Sequence, residues 1–161
     1  MKFKLSVLVF IKSDKEEFLL IERAKSPNKG LWSPIGGKLE TTQGESPFEA
    51  AIREVKEEIN LKITEDDLHL FSMITEKAYE GTTHWLLFLF DCKKTINELP
   101  KPIDEGSFKF FTKEAIEELN IPKSDKKLLW DPYHSNRTGF TSLRANSLNS
   151  NELKITQEQA L

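Results

Sequence analysis

The residues with the clearest chemical potential are the acids of Arg53-Glu54-Val55-Lys56-Glu57-Glu58, which follow a glycine pair at Gly36 and Gly37. On a helix at 100° per residue, two of these glutamates flank Glu54 by about 40° and about 60°, so three carboxylates share one arc. Hard oxygen ligands at this density suit Mg²⁺ or Mn²⁺, and glycine lets backbone approach a ligand closely. The pattern indicates a site where a divalent cation meets a phosphate group.

The same run also fits the solvated face of an amphipathic helix, which is the commoner explanation for such a segment. Glu49, Arg53 and Glu57 form a ladder of alternating charge at i, i+4 spacing, which is an ordinary salt-bridge pattern. Glu54 departs from it, because its neighbours at i+3 and i+4 are acidic and those at i−3 and i−4 are alanines. We expect Glu54 to have no cation on its own face, so the metal hypothesis rests most firmly on Glu54 and Glu58.

A helix is predicted to carry these acids. Ser46-Pro47-Phe48-Glu49 is a capping box with proline at the first helical position. Apolar residues then recur at helical spacing through Ile59, and Asn60 is a suitable left-handed stop.

Segments rich in branched and aromatic residues predict strands around the helix. Lys2–Lys12 and Glu16–Ala24 indicate two strands of a hairpin, followed by a loop over Lys25–Pro34. Leu68–Tyr79 and Thr82–Lys93 predict a second strand pair. The remaining expected elements are a strand at Phe108–Phe111, helices at Thr112–Leu119 and Lys123–Trp130, a strand at Thr138–Arg144 and a mobile tail over Asn146–Leu161.

Length and composition limit the class of protein. A chain of 161 residues predicts one domain, and a net charge of -3 argues against a nucleic-acid partner. The apolar runs are far shorter than the ~18 residues of a membrane span, so no membrane partner is expected. Cys92 is the only cysteine, which excludes an internal disulfide and agrees with the cytoplasmic location that we expect.

Gly37, Glu45 and the run from Arg53 to Glu58 resemble the signature of the Nudix hydrolases, with the family's seven residues between Glu45 and Arg53. The resemblance implies an α/β fold, an α/β/α sandwich with a mixed central sheet and the motif loop and helix on one face. We expect this domain over residues 1–134, with residues 135–161 as a C-terminal extension, partly packed or mobile. Two features depart from the signature: the Gly37–Glu45 spacer is enlarged to seven residues from five, and Asn60 replaces a glycine.

The resemblance also implies roles for individual residues. Arg53 would orient Glu54 or Glu57 by a salt bridge, and Glu45 would support the loop or hold a metal-bound water. Family members differ in their general base, which would be a glutamate of the motif or Glu105 from a later loop. The implied ligands of Mg²⁺ or Mn²⁺ are the Gly36 carbonyl, Glu54, Glu57 and Glu58.

The reaction implied is attack by water on a phosphorus of a nucleoside diphosphate linked to another group. We expect a nucleoside triphosphate or a related nucleotide as substrate, oxidised purines included, and substrate contacts from Trp32, Gly37, Lys38 and Tyr79. Tyr79 lies 18 residues past Leu61, which is a weak sign of a dinucleoside polyphosphate instead. A Nudix fold that binds nucleotides or regulates without hydrolysis is the other alternative. Many members are dimers, so a homodimer is one option.

Overall fold

The structure is a computed structural model that describes residues 2–147 and 153–161. The strands of the described residues are β1 (Phe3–Phe10), β2 (Phe18–Arg23), β3 (Trp32–Ser33), β4 (Ile35–Lys38), β5 (Leu68–Tyr79), β6 (Thr83–Cys92), β7 (Gly106–Phe111), β8 (Thr141–Asn146) and β9 (Lys154–Ala160). Their α-helices are α1 (Pro47–Ile59), α2 (Lys113–Glu117) and α3 (Asp131–Asn136). A π-helical turn at Lys126–Trp130 leads directly into α3.

The strands form two sheets. A six-stranded sheet has the order β4-β1-β6-β5-β8-β9, and a three-stranded sheet has the order β3-β2-β7. The pairs β1–β6 and β5–β8 are parallel, whereas the other neighbours are antiparallel. The central sheet is therefore mixed and carries helical segments on both faces, which confirms the predicted α/β fold class.

Alternate residues of β1 divide the hydrophobic core between the two faces of the central sheet. Val7 and Val9 pack with Val55 of α1 in one cluster. Phe10 points to the opposite face, where it stacks on Tyr133 with ring centroids 4.9 Å apart. Helix α1 thus covers one face, and the segment from Lys126 to Asn136 covers the other.

The capping signals of α1 are confirmed. Ser46 Oγ accepts a hydrogen bond from the Glu49 N–H at 3.1 Å, and the Glu49 carboxylate accepts one from the Ser46 N–H at 3.3 Å. Asn60 ends the helix with φ 54°, in the left-handed region. The strand pair β5–β6 also has nearly the predicted bounds.

The predicted hairpin of β1 and β2 is wrong beyond its first contact. The two strands meet at an isolated bridge between Lys12 and Phe18, and then β2 pairs with β3 and β7 in the smaller sheet. Residues 18 to 21 of β2 are all buried. A strand buried on both faces needs cover on both sides, which a hairpin with β1 alone would not supply.

The C-terminal predictions also need correction. The helix expected at Lys123–Trp130 begins later and continues through Asn136. The tail expected from Asn146 is wrong for residues 154–160, which form β9 against β8 at the edge of the central sheet; residues 148–152 lie outside the described residues. Ile155 of β9 packs on the second core cluster, so one apolar contact anchors an otherwise polar strand. None of the helices in the described ranges is long and apolar enough to cross a membrane.

Candidate active site

The glycine pair lies on β4, at the edge of the central sheet, between β1 and α1. A Cβ atom at Gly36 would collide with the carbonyl oxygen of Val7, and one at Gly37 would collide with the Glu54 carboxylate. The Glu54 carboxylate therefore lies directly against the Gly37 backbone. Because glycine has no side chain, the acidic face of α1 can approach the strand closely.

Arg53 connects the acids of α1 to the preceding loop. Its Nε and Nη2 donate to the two Glu45 oxygens at 2.7 and 2.8 Å, which is a bidentate pair. Its Nη1 donates to Glu54 at 2.9 Å and to Glu57 at 3.2 Å, and Nη2 also donates to the Lys38 carbonyl at 3.0 Å. A guanidinium has five N–H donors, and this set of contacts uses them all. The Glu54 and Glu57 side chains are thereby fixed in orientation.

Glu54 has a cationic partner although helical spacing leaves no cation on its own face. Arg53 is its neighbour in sequence, and helical spacing alone places adjacent residues on different faces. The long arginine side chain instead reaches across the helix surface to Glu54 Oε1. The contact agrees with the orienting role that the family resemblance implied for Arg53.

Glu45 stabilises the enlarged loop. It accepts a hydrogen bond from the Glu40 N–H at 3.0 Å, and the bonds from Arg53 lower the pKa of its carboxyl group. The extra residues Thr41–Gln43 form a single 3₁₀ turn that ends at Gly44 in the left-handed conformation. The insertion is therefore absorbed within the loop, and β4 and α1 remain in contact.

Glu58 differs from its two neighbours because Arg53 does not contact it. Its Oε2 is buried and has no hydrogen-bond partner among the described residues. Burial, together with the charges of Glu54 and Glu105, raises the pKa of Glu58 to about 8. Burial also raises the pKa of Glu54, against the hydrogen bond from Arg53. Glu54 and Glu58 are thus held where ionising both of them is unfavourable.

The chemistry of these donors fits a divalent cation. Carboxylate oxygens are the ligands that hard cations prefer, and the unpartnered Glu58 Oε2 is an available donor. Within the described ranges no three acidic, histidine or cysteine side chains already form a metal-binding group. Arg53 instead draws Glu54 and the 58% exposed side chain of Glu57 toward itself.

Glu105 is an exposed residue of the loop before β7. Its charge contributes to the raised pKa values of Glu54 and Glu58, so it lies within electrostatic reach of the acidic cluster. The carbonyl of Glu105 accepts a hydrogen bond from the Ala24 N–H at 2.8 Å, which ties this loop to the end of β2. The structure thus brings this predicted residue into the neighbourhood of α1.

A cavity of about 230 Å³ lies beside β4 and holds three of the four residues predicted to contact substrate: Gly37, Lys38 and Tyr79. Trp32 is not among its lining residues. Its ring packs edge-to-face on Phe111, with centroids 4.8 Å apart. Trp85 lines the cavity instead.

Sequence reasoning overlooked several polar residues of this cavity. Arg23 stands at the end of β2, and its Nε donates to the Pro27 carbonyl at 2.7 Å. Asn28 accepts a hydrogen bond from the Tyr79 hydroxyl at 2.6 Å. Glu76 and Asp125 also line the cavity. The signal for Glu76 was available, since it shares the strand face of the buried Ile74 and is acidic where an apolar residue is expected.

The fold and the acidic helix together define a Nudix protein. The family model described as the NUDIX domain matches residues 2–136, and this chain belongs to that family. Membership in this family supports the assignment of the protein as a hydrolase that acts on pyrophosphate bonds of nucleoside diphosphate derivatives.

Solved structures with the same fold come from several organisms. A Bacillus halodurans protein described as mutator MutT has a TM-score of 0.76 at 23% identity, covering 96% of this chain and 97% of its own. The NUDIX domain of Shewanella oneidensis NrtR, complexed with ADP ribose, has a TM-score of 0.64 at 13% identity, with coverages of 82% and 86%. The E. coli dihydroneopterin triphosphate pyrophosphohydrolase has a TM-score of 0.63 at 20% identity, and the match covers 84% of this chain and 97% of that protein. At these identities the likeness concerns the fold.

Proposed function

We propose that this protein is a divalent-cation-dependent hydrolase that cleaves a pyrophosphate bond in a nucleoside triphosphate or a related nucleotide, oxidised purine nucleotides included. The main support is the arrangement on α1, where Arg53 orients Glu54 and Glu57 next to Glu58 with its unpartnered oxygen. An acidic cluster of this kind beside a cavity that contains cationic side chains suits a polyanionic ligand.

The proposed ligands of Mg²⁺ or Mn²⁺ are the Gly36 carbonyl and the carboxylates of Glu54, Glu57 and Glu58. When bound, such a cation offsets phosphate charge and lowers the pKa of a coordinated water. Arg53 keeps two of the carboxylates in position and reduces their mutual repulsion. The proton of the attacking water would pass to a glutamate of the cluster or to Glu105, whose charge acts on Glu54 and Glu58.

The phosphate groups need cations other than Arg53, because all of its donors are already in use. Arg23 and Lys38 line the cavity, and the hydrogen bond to Pro27 engages only the Nε of Arg23. The Gly37 backbone offers a close approach from the same side. We assign base stacking to Trp85 rather than to Trp32, because Trp85 borders the cavity.

A nucleotide panel tests the proposal. Nucleoside triphosphates, oxidised triphosphates, ADP-ribose and dinucleoside polyphosphates are incubated with Mg²⁺, with Mn²⁺ or with EDTA, and product release is measured. We expect cation-dependent turnover of at least one triphosphate. Turnover of a dinucleoside polyphosphate in preference to all others would favour the alternative substrate. Tight binding of any of these compounds without turnover would refute the hydrolase and support a binding or regulatory module.

A further inference from the structure

A second cavity lies on the face of the central sheet opposite α1. It has a volume of about 380 Å³, and among the described residues it shares none with the cavity beside β4. The buried rings of Phe18 and Tyr133, from the second core cluster, form its floor. We call it the basic cavity. Its rim combines the turn between β1 and β2 (Lys12, Lys15 and Glu16), the start of α2 (Thr112, Lys113 and Glu114) and the end of α3 (His134 and Arg137).

The basic cavity has a surplus of positive charge. Four lysines and arginines and two glutamates line it, which gives a net charge of +2, although the whole chain carries -3. Lys12 Nζ pairs with Glu16 at 2.9 Å. Over residues 2–147 and 153–161, the other three cations, Lys15, Lys113 and Arg137, form no ion pair with an acid. One further acid of the rim therefore stands against three unpaired cations.

Arg137 is half-buried and is held by an aromatic ring. Its Cζ lies 5.4 Å from the centroid of the Tyr133 ring, which is a cation–π contact. The ring is itself fixed, because Tyr133 is 1% exposed and its hydroxyl donates to Asp91 at 3.1 Å. Arg137 makes no side-chain hydrogen bond within the described part of the chain, so its five N–H donors are available to a ligand. A planar guanidinium held in this way can bind two phosphate oxygens at once.

The electrostatics of His134 show that cations from two elements act on the same place. Burial lowers the pKa of His134, and the charges of Lys113 and Arg137 lower it further. The charges of Glu117 and Asp131 act in the opposite direction. The positive potentials of α2 and of the end of α3 therefore overlap at this ring. An anion bound in the basic cavity would offset that potential.

We propose that the basic cavity binds a small phosphate compound. The Arg137 guanidinium contacts two oxygens of the phosphate group, and the ammonium groups of Lys15 and Lys113 offset the rest of its charge. A phosphate group suits these cations better than a carboxylate does, because it concentrates more charge and more acceptor oxygens on one centre. The volume of about 380 Å³ lies within the ~300 to 1,000 Å³ of ligand pockets, so the cavity has room for more than the phosphate group.

This site is separate from the proposed hydrolytic site. The acids of α1 and the cations Arg23 and Lys38 lie on or beside β4, whereas the basic cavity opens on the other face of the sheet. Binding in the basic cavity therefore requires neither a divalent cation nor turnover, and it stands whether or not the protein hydrolyses nucleotides.

Calorimetric titration with inorganic pyrophosphate, in low-salt buffer freed of divalent cations by a chelating resin, tests the site. Citrate, a polycarboxylate, is the comparison ligand. We expect pyrophosphate to bind at least about tenfold more tightly than citrate, and Arg137→Gln to weaken pyrophosphate binding about 10- to 100-fold. The double variant Lys15→Gln with Lys113→Gln should weaken it about 3- to 20-fold, because these side chains are exposed.

Two variants serve as controls. Arg144→Gln makes the same change at an exposed arginine of β8 and should bind pyrophosphate as the wild type does. Lys38→Gln alters the cavity beside β4 and should leave unchanged the binding that Arg137→Gln loses.

Several results would overturn the site. These are no binding of pyrophosphate, equal affinities for pyrophosphate and citrate, and equal losses in Arg137→Gln and Arg144→Gln. Binding that is lost in Lys38→Gln but kept in Arg137→Gln would place pyrophosphate beside β4 and would likewise overturn it. If Arg137→Gln does not fold, the double lysine variant, compared with Arg144→Gln, decides the matter. Failure of the hydrolase in the nucleotide panel would leave the outcome of this titration unaffected.

Discussion

Replacing Glu58 with glutamine should stabilise the protein when no divalent cation is available. The folded protein keeps the Glu58 proton until about pH 8, whereas the unfolded chain loses it around the ordinary value of 4.5. For an acid whose pKa is raised by folding, stability is highest at low pH and falls as pH rises between these two values. Glutamine is nearly isosteric with glutamate and carries no charge. The stability of Glu58→Gln should therefore not fall with rising pH in this way.

The magnitude follows from the size of the shift. The change from 4.5 to about 8 corresponds to about 5 kcal/mol once the folded state is fully ionised, and to about 3 kcal/mol at pH 7. For a domain of this length, 1 kcal/mol shifts the melting temperature by roughly 2 to 4 °C. We therefore expect Glu58→Gln to melt roughly 6 to 12 °C above the wild type at pH 7 in EDTA.

Thermal unfolding in EDTA, followed by circular dichroism from about pH 4.5 to about pH 8.5, measures this difference. The advantage of Glu58→Gln should be near zero at the acidic end and grow with pH. Glu57→Gln is the matched control: this side chain is 58% exposed, so its loss should change stability by less than about 1 kcal/mol. Added Mg²⁺ should stabilise the wild type more than Glu58→Gln. A difference that is independent of pH, or a variant that is less stable throughout, would refute the reasoning.

Three further variants test other parts of the site and fold. Gly37→Ala places a methyl group against the Glu54 carboxylate, so we expect turnover to fall about 100-fold with the fold retained by circular dichroism; unchanged turnover would contradict this position for Glu54. Arg53→Lys cannot reproduce a five-donor planar fork, and we expect at least about a tenfold loss of turnover, checked by steady-state kinetics against the wild type. Asn60→Ala removes the short polar side chain that lets asparagine tolerate the left-handed cap conformation and should lower the unfolding free energy by about 1 kcal/mol in urea denaturation, whereas Asn60→Gly should not.

The local features of the fold were predictable because they depend on neighbours in sequence. Ser46 with Glu49 specifies the start of α1, and Asn60 specifies its end. The pairing of β2 could not be obtained in the same way. Its partners β3 and β7 follow at different distances along the chain. Only the burial of β2 on both faces shows that a hairpin with β1 alone would not cover this strand.

The candidate site likewise has features that the sequence predicts and features that depend on side-chain reach or tertiary packing. Helical periodicity places Glu54 and Glu58 on one arc, and the structure holds both against β4. The periodicity did not show that Arg53 would reach Glu54, because that contact depends on side-chain length rather than on angle. Nor could it bring Glu76 and Asp125 to one cavity, since they are separated by two strands and a helix and meet only through tertiary packing.

The Gly36–Gly37 strand has a consequence for how such a protein can diversify. Helix α1 and its acids lie on one side of this thin strand, whereas the cavity residues Glu76 and Asp125 come from elements on the other side. Substitutions in the cavity can therefore change which ligand is accepted without disturbing the Arg53 network. If the proposed function holds, the cavity and the acidic helix could be altered independently of each other.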